Sequence, residues 1–436
     1  MAKVSVEFLM ASSKPSAQSV QVTVHQAAEA LQVSPDTVRR WAKKGLIRSS
    51  RNALGHRLFN LAELHRTHLK FHGTSSPTRR PFQTLKAKSR SPFTSIELFS
   101  GCGGLALGLE NAGFTSKLLV EWDRHACHTL RANWPEKRIV EGDVAKVDFS
   151  PFRDQVDVVA GGFPCQAFSY AGHSRGFEDT RGTLFFEFAR CVDQVRPKIA
   201  LGENVRGLLR HDGGRTLDTM IQALDQLGYR AAVKVLRSQF HDVAQKRERL
   251  FILAIRKDLD LPFLFPAERD YMPTLRDVLH QVPESPGVSY TPRKHAVMEL
   301  VPEGGYWRDL PEPVQREFMG KSYFLGGGRT GMARRMAWDE PALTLTCSPA
   351  QKQTERCHPS ETRPFTTREY ARIQSFPDSW LFKGNTASIY RQIGNAVPVN
   401  LAYHMASALR HMLEGNHASH LFTPALLAPT AQQPLI

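Results

Sequence analysis

Three short stretches of this 436-residue chain carry side chains of the type and grouping that do covalent chemistry. The first is Gly161-Gly162-Phe163-Pro164-Cys165-Gln166-Ala167-Phe168-Ser169, where a proline-braced cysteine follows small and apolar residues. A thiolate is a strong nucleophile, and a cysteine so braced has a defined direction. The second is Glu203-Asn204-Val205, which offers a carboxyl for general acid work. The third is Gln245-Lys246-Arg247-Glu248-Arg249. In an extended run Gln245, Arg247 and Arg249 share a face, and two guanidinium groups there can hold an anion or a polarised carbonyl. The competing reading is structural, with Glu203, Arg247 and Arg249 merely paired among themselves. The other cysteines, Cys102, Cys127, Cys191, Cys347 and Cys357, are irregularly spaced without a CxxC pair and read as small buried apolar residues. Neither a disulfide framework nor a metal site is expected, and His358 beside Cys357 reads as incidental.

Such groups meet only if a scaffold brings distant strand ends together. Thr94 to Phe99 reads as a buried strand, Gly101-Cys102-Gly103-Gly104 as a tight turn, and Leu105 to Asn111 as the following helix. Further strands are expected at Lys117 to Val120, around Ile139-Val140, at Val156 to Ala160, at Pro197 to Leu201 and at Leu250 to Ile255. Strands alternating with helices imply an open α/β sheet whose ligands bind at the carboxyl ends. Glu121 then sits at the second strand's tip, placed to accept from ribose hydroxyls, and Asp143 after the third can meet an adenine amino group. Gly101 to Ala106 also fits a G-x-G-x-x-A dinucleotide pattern, so NAD and S-adenosylmethionine are both open on these residues. Cys165 at the fourth strand's end turns the reading to S-adenosylmethionine, because hydride transfer commonly proceeds without a thiolate.

The charge is lopsided. Overall it is +15, and residues 1 to 92 hold 16 Lys or Arg against 4 Asp or Glu. A front-loaded cationic field suits a polyanion, although a solvated basic tail has the same composition. Thr23-Val24-His25-Gln26 has the form of a capping box, and Ser34-Pro35 opens a second helix on which Val38 and Trp41 face inward. Thr37, Arg39, Arg40 and Lys43 face outward, suited to a DNA groove. With Arg51 and Gly55-His56-Arg57-Leu58-Phe59, residues 21 to 70 resemble the winged helix-turn-helix of the MerR and excisionase family, with Arg57 on the wing. Residues 1 to 20 are expected to be disordered, 21 to 72 to form this domain, and 73 to 92 to be a flexible basic linker. No run of about 18 apolar residues and no signal peptide is visible, so a cytoplasmic, nucleoid-associated bacterial protein without membrane contact is expected.

From residue 93 to about 413, Phe99-Ser100-Gly101-Cys102-Gly103-Gly104, Glu121, Asp143, Gly162 to Gln166, Glu203-Asn204-Val205, Gln245 to Arg249, Arg368-Glu369 and Gly394-Asn395-Ala396-Val397-Pro398 resemble, in order, the motifs of the DNA (cytosine-5)-methyltransferase family. The resemblance implies a Rossmann-like sheet over 93–260, a smaller irregular target-recognition region over 261–362, a return to the catalytic domain over 363–413, and a tail over 414–436. It makes Cys165 the nucleophile, sets Glu203 at cytosine N3 and gives Arg247 the base. S-adenosylmethionine falls to Phe99, Gly101, Gly103, Glu121, Trp122, Asp143, Val144, Asn395 and Val397, and DNA to Ser169 and Arg249. The family often has arginine where this chain has Lys246, which loses the bidentate fork there. The implied activity is methyl transfer to C5 of a flipped-out cytosine in duplex DNA, protecting host DNA beside a cognate restriction endonuclease that shares the target without direct contact. The front domain implies autoregulation at the chain's own promoter. The alternative is a transcription regulator with an inactive methyltransferase domain.

Overall fold

The computed structural model describes residues 21–31, 35–43, 47, 49–52, 55, 57–61, 63–64, 81–163, 184–325, 329–416 and 421–424, except the side chains of Asp36, Thr37, Arg40 and Lys43. The chain divides into two units, Met1–Thr74 and Ser75–Ile436.

In the first unit the Thr23 side chain accepts from the Gln26 amide while Gln26 Oε1 accepts from the Thr23 amide at 2.9 Å. That reciprocal cap starts helix α1 (Val24–Ala30), and α2 (Pro35–Lys43) follows. Ala27, Ala28, Leu31, Val38, Trp41, Ile47, Phe59 and Leu64 form one small core. Strands β2 (Ser49–Arg51) and β3 (Arg57–Asn60) make the wing hairpin. A strand the sequence did not announce, β1 (Gln21–Thr23), pairs antiparallel with β3 and ties the wing to the entry of α1.

The second unit is built on a seven-stranded sheet in the order β6-β5-β4-β7-β8-β11-β9. Its members are β4 (Thr94–Leu98), β5 (Thr115–Glu121), β6 (Ile139–Glu141), β7 (Val158–Gly161), β8 (Ile199–Val205), β9 (Tyr229–Arg237) and β11 (Glu248–Arg256). Strands β6, β5, β4, β7 and β8 run parallel, and β11 runs antiparallel to both β8 and β9. Chain order reverses between β4 and β7, so a crevice opens beyond their carboxyl ends. Helices α3 (Gly104–Asn111), α4 (Arg124–Asn133), α5 (Leu184–Val195) and α6 (Arg215–Gln226) flank the sheet. Apolar side chains fill both faces, Phe185, Phe188 and Val192 on one and Leu105, Leu109 and Leu401 on the other.

Beyond the two-residue β10 (Gln245–Lys246) and β12 (Leu264–Pro266), the recognition region carries short helices α7 (Leu275–Val278), α8 (Pro292–Glu299) and α9 (Glu312–Met319), then β13 (Ala342–Leu343). It has its own core of Met298, Val301, Trp307, Leu310 and Met319. Buried Arg335 staples it by donating to the carbonyls of Met298, Val301, His358 and Glu361. Helices α10 (Thr367–Ile373), α11 (Thr386–Asn395) and α12 (Val399–Leu413) return to the sheet. Helix α12 lies against α3, and a Cβ on Gly108 would come within 2.3 Å of Ala402 Cβ, so glycine sets their separation. Among the described residues no helix is long and apolar enough to cross a membrane.

Two connecting segments differ from the sequence reading. Residues 81–92, expected within the flexible linker of 73–92, run over the sheet unit as a fixed strap. Thr84 Oγ1 donates to Ser375 O, the Leu85 amide to Asn400 Oδ1, and the Ala87 amide to Asn111 O. Arg372 stacks over the Phe82 ring. Likewise the tail expected over 414–436 contains β14 (Phe422–Pro424), paired antiparallel with β12. Both corrections have one cause, since amide groups laid over an apolar surface must find partners. A chain starting at Ser75 should therefore keep the melting temperature of the catalytic unit. One starting at Phe93 loses the Phe82 contact and these hydrogen bonds, roughly 2–4 kcal/mol together, and should melt several degrees lower in a thermal scan. Equal melting of the two would show the strap to be dispensable.

Candidate active site

Each side of the crevice is set by a strand end. After β4 the backbone turns left-handed at Phe99 (φ 58°) and Gly101 (φ 53°). The turn presents the Gly101 amide to Glu121 Oε2 at 2.6 Å. Glu121 Oε1 accepts from the amides of Trp122 and Asp123 at 2.9 and 2.7 Å. Three backbone donors thus fix the Glu121 carboxyl, leaving lone pairs for a ligand. Burial nevertheless holds its pKa above the ordinary carboxylate value. Across the crevice, β8 ends in Glu203, whose Oε1 meets Arg249 Nε of β11 at 2.8 Å, both side chains about one-tenth exposed. Burial raises the Glu203 pKa, outweighing the opposing pull of Arg249 and Arg247. Asn204 Nδ2 donates to Phe163 O at 2.9 Å, pinning the backbone two residues before Cys165.

Between these walls lies a cavity of about 510 Å³, within the range of small-molecule sites. Phe99, Gly101, Glu121, Asn395 and Val397 line it as expected from the sequence, together with Glu203 and Arg249. Asn395 and Val397 arrive from the α11–α12 junction, so the last part of the chain closes a pocket begun by β4. The ion pair of Arg391 and Asp123 at 2.9 Å stands in the same wall.

Several expected residues lie elsewhere. Gly103 faces the rings of Trp134 and Trp380, and it is Gly104 that lines the cavity, where a Cβ would sit 2.3 Å from Val397 O. Asp143 caps its own turn through the Ala145 amide, Val144 is buried in the core, and Trp122 stands 73% exposed beside the cavity wall. Arg247 and Arg249 exchange the positions read for them. The extended run breaks at Arg247, between β10 and β11, so the alternation that would put both on one face fails. Arg247 is 1% exposed and gives its guanidinium to the carbonyls of Leu345, Gly394 and Ala396 at 3.1, 2.9 and 3.0 Å. Arg249, expected on DNA, is the arginine inside the cavity. Lys246 pairs with Glu340 at 2.7 Å.

Cys165 and Ser169 lie outside the described residues, as do the side chains of Thr37, Arg40 and Lys43. Arg39 and Arg57 are exposed in the first unit. No cluster of metal-ligating side chains occurs among the described residues. The sequence reading missed Glu97, a 2%-exposed acid on β4 that lines the cavity, though an acid inside an apolar strand was itself a signal.

Fold and cavity together define a doubly wound α/β enzyme that holds its ligand at the sheet's switch point. Residues 93–411 match the C-5 cytosine-specific DNA methylase family, and the chain belongs to that family. Its activity is methyl transfer to C5 of cytosine in DNA, for which such methyltransferases use S-adenosylmethionine as donor. Residues 23–59 match the MerR family of regulatory proteins. Type II methyltransferase M.Eco47II of Escherichia coli is 52% identical over 405 residues, covering 90% of this chain and 96% of its own. M.PspPI of Psychrobacter is 56% identical over 335 residues, 74% of this chain and 80% of its own. A crystal structure of a DNA modification methyltransferase encoded within an E. coli prophage superimposes with TM-score 0.55 at 25% identity, over 74% of this chain and 99% of its own.

The two arginines should separate in mutagenesis. Arg247→Met leaves three buried carbonyls unpaired and should cost stability on the order of 3–5 kcal/mol, seen as a large fall in melting temperature. Arg249→Met should leave melting nearly unchanged, because Glu203 can stay protonated, yet slow single-turnover methylation by roughly 10²-fold. Equal effects on melting would contradict this division of labour.

Proposed function

We propose that the cavity holds S-adenosylmethionine with its ribose against Glu121, that the target cytosine sits between Glu203 and Arg249, and that Cys165 is the nucleophile. The observation that carries this is the Glu203–Arg249 pair at the end of β8, with Asn204 anchoring the backbone that leads into Cys165. The residues fit the cofactor: the cavity has the volume, glycine walls at Gly101 and Gly104, and the acids Glu97, Glu121 and Glu203 facing a ligand that carries positive charge. When bound, the cofactor supplies an electrophilic methyl group.

Cytosine C5 is too poor a nucleophile to take that methyl unaided. The Cys165 thiolate adds to C6, breaking the C5–C6 double bond, while the Glu203 carboxyl donates its proton toward N3. The electron pair thus placed at C5 forms the new C–C bond. A base then takes the C5 proton, and the returning electron pair expels the Cys165 thiolate and restores the ring. Burial keeps Glu203 in the protonated form such donation requires. Stacking shields C6 in a duplex, so the base must rotate out to reach the thiolate. Arg249 holds the Glu203 carboxyl in line and adds positive charge beside the activated ring.

The similarity to type II methyltransferases supports a role in bacterial restriction-modification, protecting host DNA from a nuclease that shares its target. A second reading, operator binding by the first unit and regulation of the chain's own promoter, is favoured by the MerR match over 23–59 and the wing built by β2 and β3. Footprinting upstream of the gene tests it. The full chain should protect a discrete site that a chain starting at Ser75 does not, and protection by neither would set this reading aside.

With duplex DNA carrying 5-fluorocytosine, which has no C5 proton to lose, the wild-type protein should remain covalently attached, as read by denaturing electrophoresis. Cys165→Ala should neither attach nor methylate while still binding S-adenosylhomocysteine. Glu203→Gln should lower the rate by roughly 10²-fold and remove the decline in rate expected as rising pH ionises Glu203. Attachment by the Cys165→Ala protein would overturn the mechanism.

A further inference from the structure

Glu97 is used by no step above. It lies on β4, in register with Leu119 of β5 and Ala160 of β7, in the sheet's centre. The residue is 2% exposed, lines the cavity, and its Oε2 is buried without a hydrogen-bond partner among the described residues. No ion pair reaches it among those residues, and the charged groups facing it are acids: Glu121 from β5 and Glu203 from β8. The Cys102 thiol of the following turn is itself buried, with its pKa pushed upward. The one nearby cation bonded to an acid of this cluster is Arg249, engaged with Glu203. An unpartnered carboxylate beside two more carboxyls in a dry wall is costly, and the cheap solution is to keep the proton. Its pKa is accordingly raised, first by burial and then by Glu121 and Glu203.

We propose that Glu97 is a positioning residue for the cofactor, neutral in the free protein and giving its proton to solvent when a cationic group of S-adenosylmethionine, ammonium or sulfonium, enters the cavity and becomes its counter-charge. This rests on the cofactor assignment proposed above. The step balances: one proton leaves the carboxyl, one positive charge arrives, and no bond in the cofactor changes. The gain is discrimination, since a neutral ligand offers nothing to offset ionising Glu97. By linkage, a ligand that displaces a proton binds more tightly as pH rises, by up to about tenfold per pH unit below the group's own pKa.

Titration calorimetry on the full-length protein in two buffers of different ionisation enthalpy, between pH 6 and 7, reads this directly. In that range the free ligand's α-amino group is still protonated. Wild-type protein should release close to one proton per S-adenosylmethionine bound, with affinity rising with pH. Glu97→Gln, which cannot ionise, should bind more weakly, release none and show no pH dependence. Glu97→Asp should still release, and Glu203→Gln should too, which assigns the proton to Glu97. Release with S-adenosylhomocysteine as well identifies the ammonium as partner, and release with S-adenosylmethionine alone the sulfonium. Binding by wild type with no proton release, or equal release by Glu97→Gln, overturns the inference and leaves the proposed function standing. Failure of wild type to bind either ligand overturns the cofactor assignment with it. The wild-type buffer dependence decides even if Glu97→Gln does not fold.

Discussion

A single buried guanidinium carries much of this architecture. Arg247 spends its hydrogen bonds on carbonyls of Leu345, Gly394 and Ala396, about a hundred or more residues downstream. Burying an unpaired charge is prohibitive, so these carbonyls are a condition of folding as much as a consequence of it. Beside it Gln245 Nε2 donates to Gln374 Oε1, and Gln374 Nε2 to Ile393 O. This polar seam draws the α11–α12 junction against the sheet and brings Asn395, Ala396 and Val397 into the cavity wall. Without it, the pocket would have β4, β5 and β8 on its floor and no closing side.

The cavity's electrostatics follow from the same placement. Arg249, one strand step beyond Arg247, is left to meet Glu203, and the two arginines depress each other's pKa while drawing on one acid. The floor then holds three acids, each with a different task set by its partners. Glu121 is locked by three backbone amides, Glu203 is leaned on by Arg249, and Glu97 has neither. Three like charges within one cavity cannot all be carried in an empty pocket, so the site is prepared for a ligand that brings positive charge.

Much of this was readable from the chain. The strand tips with Glu121, Cys165 and Glu203 were placed by apolar runs ending in glycine or acid, because parallel strands expose only their ends. The capping box at Thr23 and the apolar stripe of Val38 and Trp41 were equally plain, being local patterns. What escaped reading was non-local. The exchange of Arg247 and Arg249 depends on a break in the extended run that no residue in Gln245 to Arg249 announces. The strap over 81–92 looks like a linker because its partners, Asn400 and Ser375, lie some 300 residues away. β14 pairs with β12 from similar distance, and the recognition region owes its form to Arg335 rather than to any period in its sequence.

The central claim, that this pocket delivers a methyl group to carbon 5 of cytosine, is tested most directly by the product. DNA from a methylation-free source, incubated with the full-length protein and S-adenosylmethionine carrying an isotopically labelled methyl group, can be digested to nucleosides and resolved by mass spectrometry. The account predicts label in 5-methyl-2′-deoxycytidine alone. Label in N4-methyl-2′-deoxycytidine or N6-methyl-2′-deoxyadenosine would contradict it, because transfer to an exocyclic amine needs no thiolate addition at C6.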